Sequence, residues 1–157
     1  MQKINIDEIK LMEPALQHSN SVMRMRQEFL SSYCKFNGTG NLELYNKYID
    51  WLTNAINNNH LSLFNNVNFT KLIYLVFYKT QLIGMLEIVF YYNYNIHQQC
   101  AHIIQCIRPS SRRQGYGKPL LKKAINECCS LGISKTNISS ESNGKASNGT
   151  MSKIVDF

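Results

Sequence analysis

Residues 107–118 read Ile-Arg-Pro-Ser-Ser-Arg-Arg-Gln-Gly-Tyr-Gly-Lys, and their types and spacing suit the binding of an anion. Gly115 and Gly117 lack a Cβ, so a phosphate oxygen can come close to the main chain. Arg112 and Arg113 add permanently charged, forked donors, and Gln114 and Lys118 extend the polar surface of the turn. One arginine should face phosphate and the other solvent; the order of residues leaves open which. Tyr116 lies inside the turn, so its amide matters more there than its ring. If a helix starts at these glycines, its first amides have no partner within it, and its dipole adds partial positive charge. That combination is a cradle for a diphosphate.

The flanking residues supply the elements such a cradle needs. Residues 102–107 are apolar and rich in strand formers, whereas Leu120, Leu121, Ala124 and Ile125 have helical spacing. This helix should run over 116–131 and stop at Gly132, with a further strand at 133–139. A strand–turn–helix–strand unit makes the two strands parallel, joined by a right-handed crossover. Upstream, 7–12 forms a strand, ended by Pro14. Leu16, Val22, Met23, Phe29 and Leu30 mark a helix over 15–32. Residues 37–41 are turn chemistry, and Leu44, Tyr48, Trp51, Leu52, Ala55 and Ile56 form the apolar face of a second helix. Residues 57–68 read as loop. Runs at 72–78 and 82–91, separated by Lys79-Thr80-Gln81, form an antiparallel hairpin. Residues 91–95 are a loop before the strand at 101–107.

Length and composition fit one domain over residues 1–157, with 44% hydrophobic residues for its core. No apolar run approaches a membrane span, and no signal-peptide core follows the N-terminus, so a membrane partner is not expected. Five cysteines without a C-x-x-C pair point to reduced thiols in a cytoplasm rather than to disulfides or zinc. The net charge of +7 is uneven: residues 1–100 carry +1 and residues 101–157 carry +6. Nucleic-acid binding by this basic half is one reading, and a small phosphorylated ligand at residues 107–118 is the better localised one.

A Walker loop needs Gly-Lys-Ser/Thr, and here Lys118 precedes Pro119; a dinucleotide fingerprint needs a third glycine. The stretch Arg112-x-x-Gly115-x-Gly117 instead resembles the Arg/Gln-x-x-Gly-x-Gly/Ala signature of the GCN5-related N-acetyltransferase (GNAT) superfamily. The likeness extends outward. Residues 102–109 resemble the GHIGYxVRP strand of one bacterial subgroup, residues 139–147 its TCDxxNxAS segment, and residues 12–16 its opening strand and turn.

The resemblance implies an α/β fold, with a mixed, mostly antiparallel sheet and helices on both faces. It implies acetyl-CoA as co-substrate, its diphosphate on the amides of the turn and its pantetheine arm hydrogen-bonding to the main chain of Cys106 and Ile107. Read from its own neighbourhood, Cys106 is a small buried residue rather than a thiol nucleophile. Asn143 would touch the pantetheine, although aligning Ala146-Ser147 places Gly144 at the family's asparagine. A helix N-cap is the other reading of Asn143.

The reaction implied is acetyl transfer to a primary amine of a small molecule or peptide by direct attack in a ternary complex. Glu87 and His102 are the candidate bases, since family members use a carboxylate or an ordered water on the central strands. Glu87 interrupts an apolar strand, so it faces solvent or lines a cleft, and solvent is the expectation. A structural histidine is the other reading of His102. No tyrosine follows Tyr116, which leaves the family's usual general acid without a counterpart. The subgroup also continues beyond the point where this sequence ends. The expectation is therefore an exposed parallel-strand edge, which invites a homodimer, or a non-catalytic acetyl-CoA-binding module.

Overall fold

The computed structural model describes residues 3–58, 62–64, 67–95, 97–133, 135–140 and 153–156. Strand β1 (Ile9–Met12) follows a short 3-10 turn and leads, through a second one, into helix α1 (Ser19–Ser31). Helix α2 (Tyr48–Asn58) precedes β2 (Ser62–Phe64), β3 (Val67–Tyr78), β4 (Gln81–Asn93) and β5 (Gln98–Ile107). Helix α3 (Gly117–Ser130) crosses to β6 (Lys135–Ser140), and β7 (Lys153–Asp156) follows. Gly132, with φ +80°, stops α3 as a left-handed C-terminal residue.

Among the described residues the sheet has seven strands in the order β1-β3-β4-β5-β6-β7, with β2 paired antiparallel to β3. β5 and β6 pair in parallel, and the other pairings among the described residues are antiparallel. Alternation along the strands divides the apolar side chains into two layers. On one face Ile73, Leu75, Leu82, Met85 and Cys106 pack against Val22, Met25 and Phe29 of α1 and Trp51 and Leu52 of α2. On the other, Val76, Ile83, Leu86, Ala101 and Ile103 pack under Leu120, Ala124 and Cys128 of α3. This is the mixed α/β architecture, with helices on both faces. Among the described residues no helix is long and apolar enough to cross a membrane.

Several boundaries differ from the sequence reading. Helix α2 starts at Tyr48, and Leu44 lies in a 3-10 turn, 73% exposed, because residues 36–44 fold as a loop over the sheet. Leu16 (68%) and Ile56 (47%) are also outside the core. Residues 62–64, read as loop, form β2, and β3 starts at Val67; Tyr91–Asn93 extend β4. The exposed parallel edge is overturned too. Residues 135–138 of β6 pair with β7 on the side away from β5, so the edge expected to invite another chain is occupied there.

The 36–44 loop has a defined seat. Trp51 Nε1 donates to Thr39 O (2.9 Å), and the Thr39 hydroxyl donates to Phe36 O (2.6 Å). Gly38 and Gly40 have φ of +73° and +62°; a Cβ on Gly38 would lie 2.9 Å from Ile104 O, so the loop rests on β5 closely.

Candidate functional site

β5 leaves the sheet at Ile107. The Arg108 N–H donates to Ile83 O (2.8 Å), and a 3-10 turn at Pro109–Ser111 is closed by Ser111 N–H to Arg108 O (2.9 Å). The backbone then alternates: φ is −70° at Arg112, +62° at Arg113, +90° at Gly115 and −72° at Tyr116. Main-chain anion nests are built from turns of this kind, in which residues of negative and positive φ follow one another. Among the described residues the N–H groups of residues 113–118 meet no protein acceptor, and no side chain caps α3. Pro119 has no N–H to offer. The nest thus runs into the positive end of the α3 dipole, with its donors uncommitted.

The side chains around the nest divide into struts and open groups. The Tyr116 ring is buried in the α3 layer, 5.2 Å from the Tyr78 ring centroid, and anchors the turn. Arg112 is the inward arginine. Its Nε donates to Ile107 O (3.0 Å), its Nη1 lies 3.2 Å from Cys34 Sγ, and its guanidinium sits over the Phe29 ring. This fork braces the turn and is not presented to a phosphate. Gln114 braces it as well, donating to Ser110 O (3.0 Å). Arg113 and Lys118 are exposed, and the missing Cβ of Gly117 faces open space.

A clamp from α1, invisible in the local sequence, fixes the base of the turn. Glu28 accepts from Arg108 Nε (2.7 Å) and from the Ser110 N–H (3.3 Å). Partial burial pushes the Glu28 carboxyl up, but the hydrogen bonds from Arg108 and Ser110 outweigh it and leave the group below its ordinary value. A lowered folded-state pKa stabilises above the unfolded value and is lost as pH falls through the folded one. Glu28→Gln should therefore destabilise at neutral pH and flatten the acid limb of a denaturant-midpoint profile below the ordinary carboxylate range. An unchanged limb would mean that the clamp contributes nothing.

Beside the turn the parallel ladder ends. β5 and β6 stay in register to Gln105↔Ser140, whereas β5 and β4 continue through Cys106↔Met85 and Ile107↔Gly84. Among the described residues, Cys106 and Ile107 thus have a strand partner on one side only, an edge that an extended ligand can join. Burial pushes the Cys106 thiol up to about 12, so it stays protonated and acts as an apolar side chain. Gln105 was absent from the sequence reading. Its Nε2 donates to Gly117 O (3.5 Å) and its buried Oε1 has no partner among the described residues. A glutamine between apolar neighbours, two residues before the cradle strand ends, was the available signal. Asn143 lies outside the described residues.

Glu87 does not face solvent. It is 7% exposed, lies on the α1/α2 face opposite Ile104, accepts the Gly40 N–H on Oε2 (3.2 Å) and pairs through Oε1 with Lys71 Nζ (2.8 Å). The 36–44 loop covers it, which the strand pattern alone could not reveal. His102, half-buried, lies opposite Val89 and Asn137, and strand alternation places it on the same face.

A sequence model described as the acetyltransferase (GNAT) family matches residues 41–153. The chain belongs to the GNAT family. It is accordingly an acyltransferase with acetyl-CoA as its co-substrate, and its chemistry is N-acetylation. No curated protein sequence matches it significantly. The fold is shared with solved acetyltransferases of low identity. The microcin C7 self-immunity acetyltransferase MccE, in complex with acetyl-CoA and AMP, is 20% identical at a TM-score of 0.60, over 91% of this chain and 74% of that one. A Salmonella typhimurium acetyl transferase that modifies the N-terminal serine of ribosomal protein L7/L12 is 16% identical at 0.59, over 91% and 77%. The dodecameric spermidine N-acetyltransferase of Vibrio cholerae is 16% identical at 0.54, over 84% and 69%.

Proposed function

We propose that this GNAT protein moves an acetyl group from acetyl-CoA to a primary amine of a small molecule or peptide, by direct attack in a ternary complex. The observation that carries the reading is the run of uncommitted amides at residues 113–118, shaped by alternating φ and set on the α3 dipole. These amides, with Arg113 and Lys118, would hold the diphosphate. The open edges of Cys106 and Ile107 would pair with the pantetheine arm, and Gln105 Oε1 would accept one of its N–H groups. The GHIGYxVRP-like stretch at 102–109 supports the same strand in that role, and five free thiols suit a reducing cytoplasm.

When bound, acetyl-CoA supplies the acetyl group as an activated thioester. The protein contributes position, exclusion of water and proton transfer. Glu87 faces Ile104, one residue before the β5–β6 ladder ends, so it is the ionisable group closest in register to where the arm would end. It would take the amine's proton, directly or through one water, while Lys71 and the Gly40 amide fix its carboxylate. Water would supply the proton for the departing thiolate.

Calorimetry should show saturable CoA binding, and an amine panel should give amine-dependent thiol release. CoA binding without release for any amine would make the chain a binding module; absence of CoA binding would end the proposal. Glu87→Gln keeps an acceptor for Gly40 and should lower kcat by about 10²-fold while sparing the KM for acetyl-CoA. His102→Gln should be much milder. The reverse ranking would transfer the base role to His102.

A further inference from the structure

A primary amine of the chain itself stands at the proposed base. Lys71 Nζ lies 2.8 Å from Glu87 Oε1, while the Gly40 N–H occupies the other oxygen, Oε2, at 3.2 Å. The first separation is within direct reach for a proton transfer. Register explains the meeting. Ile73 pairs with Glu87 across β3 and β4, and Lys71, two residues earlier, shares the same face of the sheet. Its flexible stem spans the remaining distance, and the side chain is only 20% exposed. Glu87 in turn lies opposite Ile104, beside the place where the β5–β6 ladder stops at Gln105↔Ser140. An ion pair alone would need only a cation there, and such a pair adds little net stability once its desolvation is counted. Lysine brings something an arginine could not: after losing a proton it is a nucleophilic primary amine, the class of group the proposed reaction acetylates.

We infer that Lys71 is a self-acetylation site, modified by the chain's own active site with acetyl-CoA as the donor. The inference rests on the transfer reading above. Glu87 Oε1 takes one proton from the Lys71 ammonium, and the freed Nζ lone pair attacks the thioester carbonyl. The new N–C bond forms and the C–S bond breaks. The nitrogen gives up its remaining extra proton to water, and water protonates the departing thiolate, leaving an acetylated lysine and free CoA. No further reactant is needed. A nucleophile carried by the chain requires no second binding event, which is where most of the advantage of an intramolecular reaction lies. Acetylation also removes the Lys71 charge, so Glu87 no longer faces that cation and can receive the ammonium of an added acceptor.

The test incubates the full chain with acetyl-CoA carrying a deuterated acetyl group and no added amine, and follows intact mass, peptide map and thiol release. Lys71 should gain a single labelled acetyl with a matching equivalent of thiol, at a rate unchanged when the protein is diluted about tenfold. Glu87→Gln should slow that labelling by about 10²-fold. Lys71→Arg keeps a cation beside Glu87 and should release no thiol without amine. Exposed Lys10 and Lys122 report the uncatalysed background, which should be equal in all three proteins. Unlabelled acetyl already on Lys71 of the purified wild type, and absent from Glu87→Gln, would support the inference equally. Label no greater on Lys71 than on Lys10 and Lys122, labelling indifferent to Glu87→Gln, or a rate that rises with protein concentration would overturn it. An unmodified Lys71 in a chain that acetylates added amines would overturn the inference and leave the transfer reading standing, whereas failure to bind CoA would sink the transfer reading itself.

Discussion

Gly115→Asp should reduce CoA affinity by at least about 10²-fold while leaving the fold intact. Two effects act together. Gly115 has φ +90°, where an L residue is strained, so a side chain pulls the alternating backbone of the nest out of shape. The new carboxylate also stands where a diphosphate must bind, and repulsion in a site built from amide donors is worth a further factor of ten or more, roughly. Gly115 is exposed, so the cost in stability should stay near about 1 kcal/mol. Gly117→Ala is the contrasting variant for the fold, since its Cβ meets no protein atom, and its stability should stay near wild type. Isothermal titration and a denaturation curve on both variants check the pair.

Gly84→Ala should be the most damaging small substitution near the site. An ideal Cβ on Gly84 would sit 2.1 Å from the carbonyl oxygen of Cys106, so either β4 or β5 must move. Overpacking against backbone costs about 1–3 kcal/mol, and the strand that yields is the one meant to line the pantetheine arm. The denaturant midpoint should fall and the KM for acetyl-CoA should rise together. A midpoint drop with an unchanged KM would detach Cys106 from cofactor binding.

Much of the cradle was legible because it is local. Two glycines, basic neighbours, a preceding apolar strand and a following helix lie within one short window, and backbone preference acts at that range. The side chains were less legible. Arg112 and Arg113 are adjacent and chemically identical, and only the position of Phe29 and Cys34, far earlier in the chain, turns Arg112 inward. Glu28 and Arg108 lie 80 residues apart, so nothing in either neighbourhood announces their ion pair.

Glu87 illustrates the same limit. A carboxylate in an apolar strand has two outcomes, and the choice depends on whether another segment brings a partner to it. Lys71 and the Gly40 amide do so here, the latter through a glycine-rich loop that local chemistry marks only as a turn. The β7 pairing that covers β6 is likewise a contact between segments separated in sequence.

The most direct test of the central claim follows the amide signals of residues 113–118 by two-dimensional nitrogen–proton NMR during a CoA titration. Pro119 contributes no signal, so the series ends at Lys118. These six resonances should shift together and saturate with the calorimetric affinity, the signature of donors closing on a diphosphate. If CoA binds while they stay fixed and shifts gather elsewhere, the nest is not the cofactor site and the account fails.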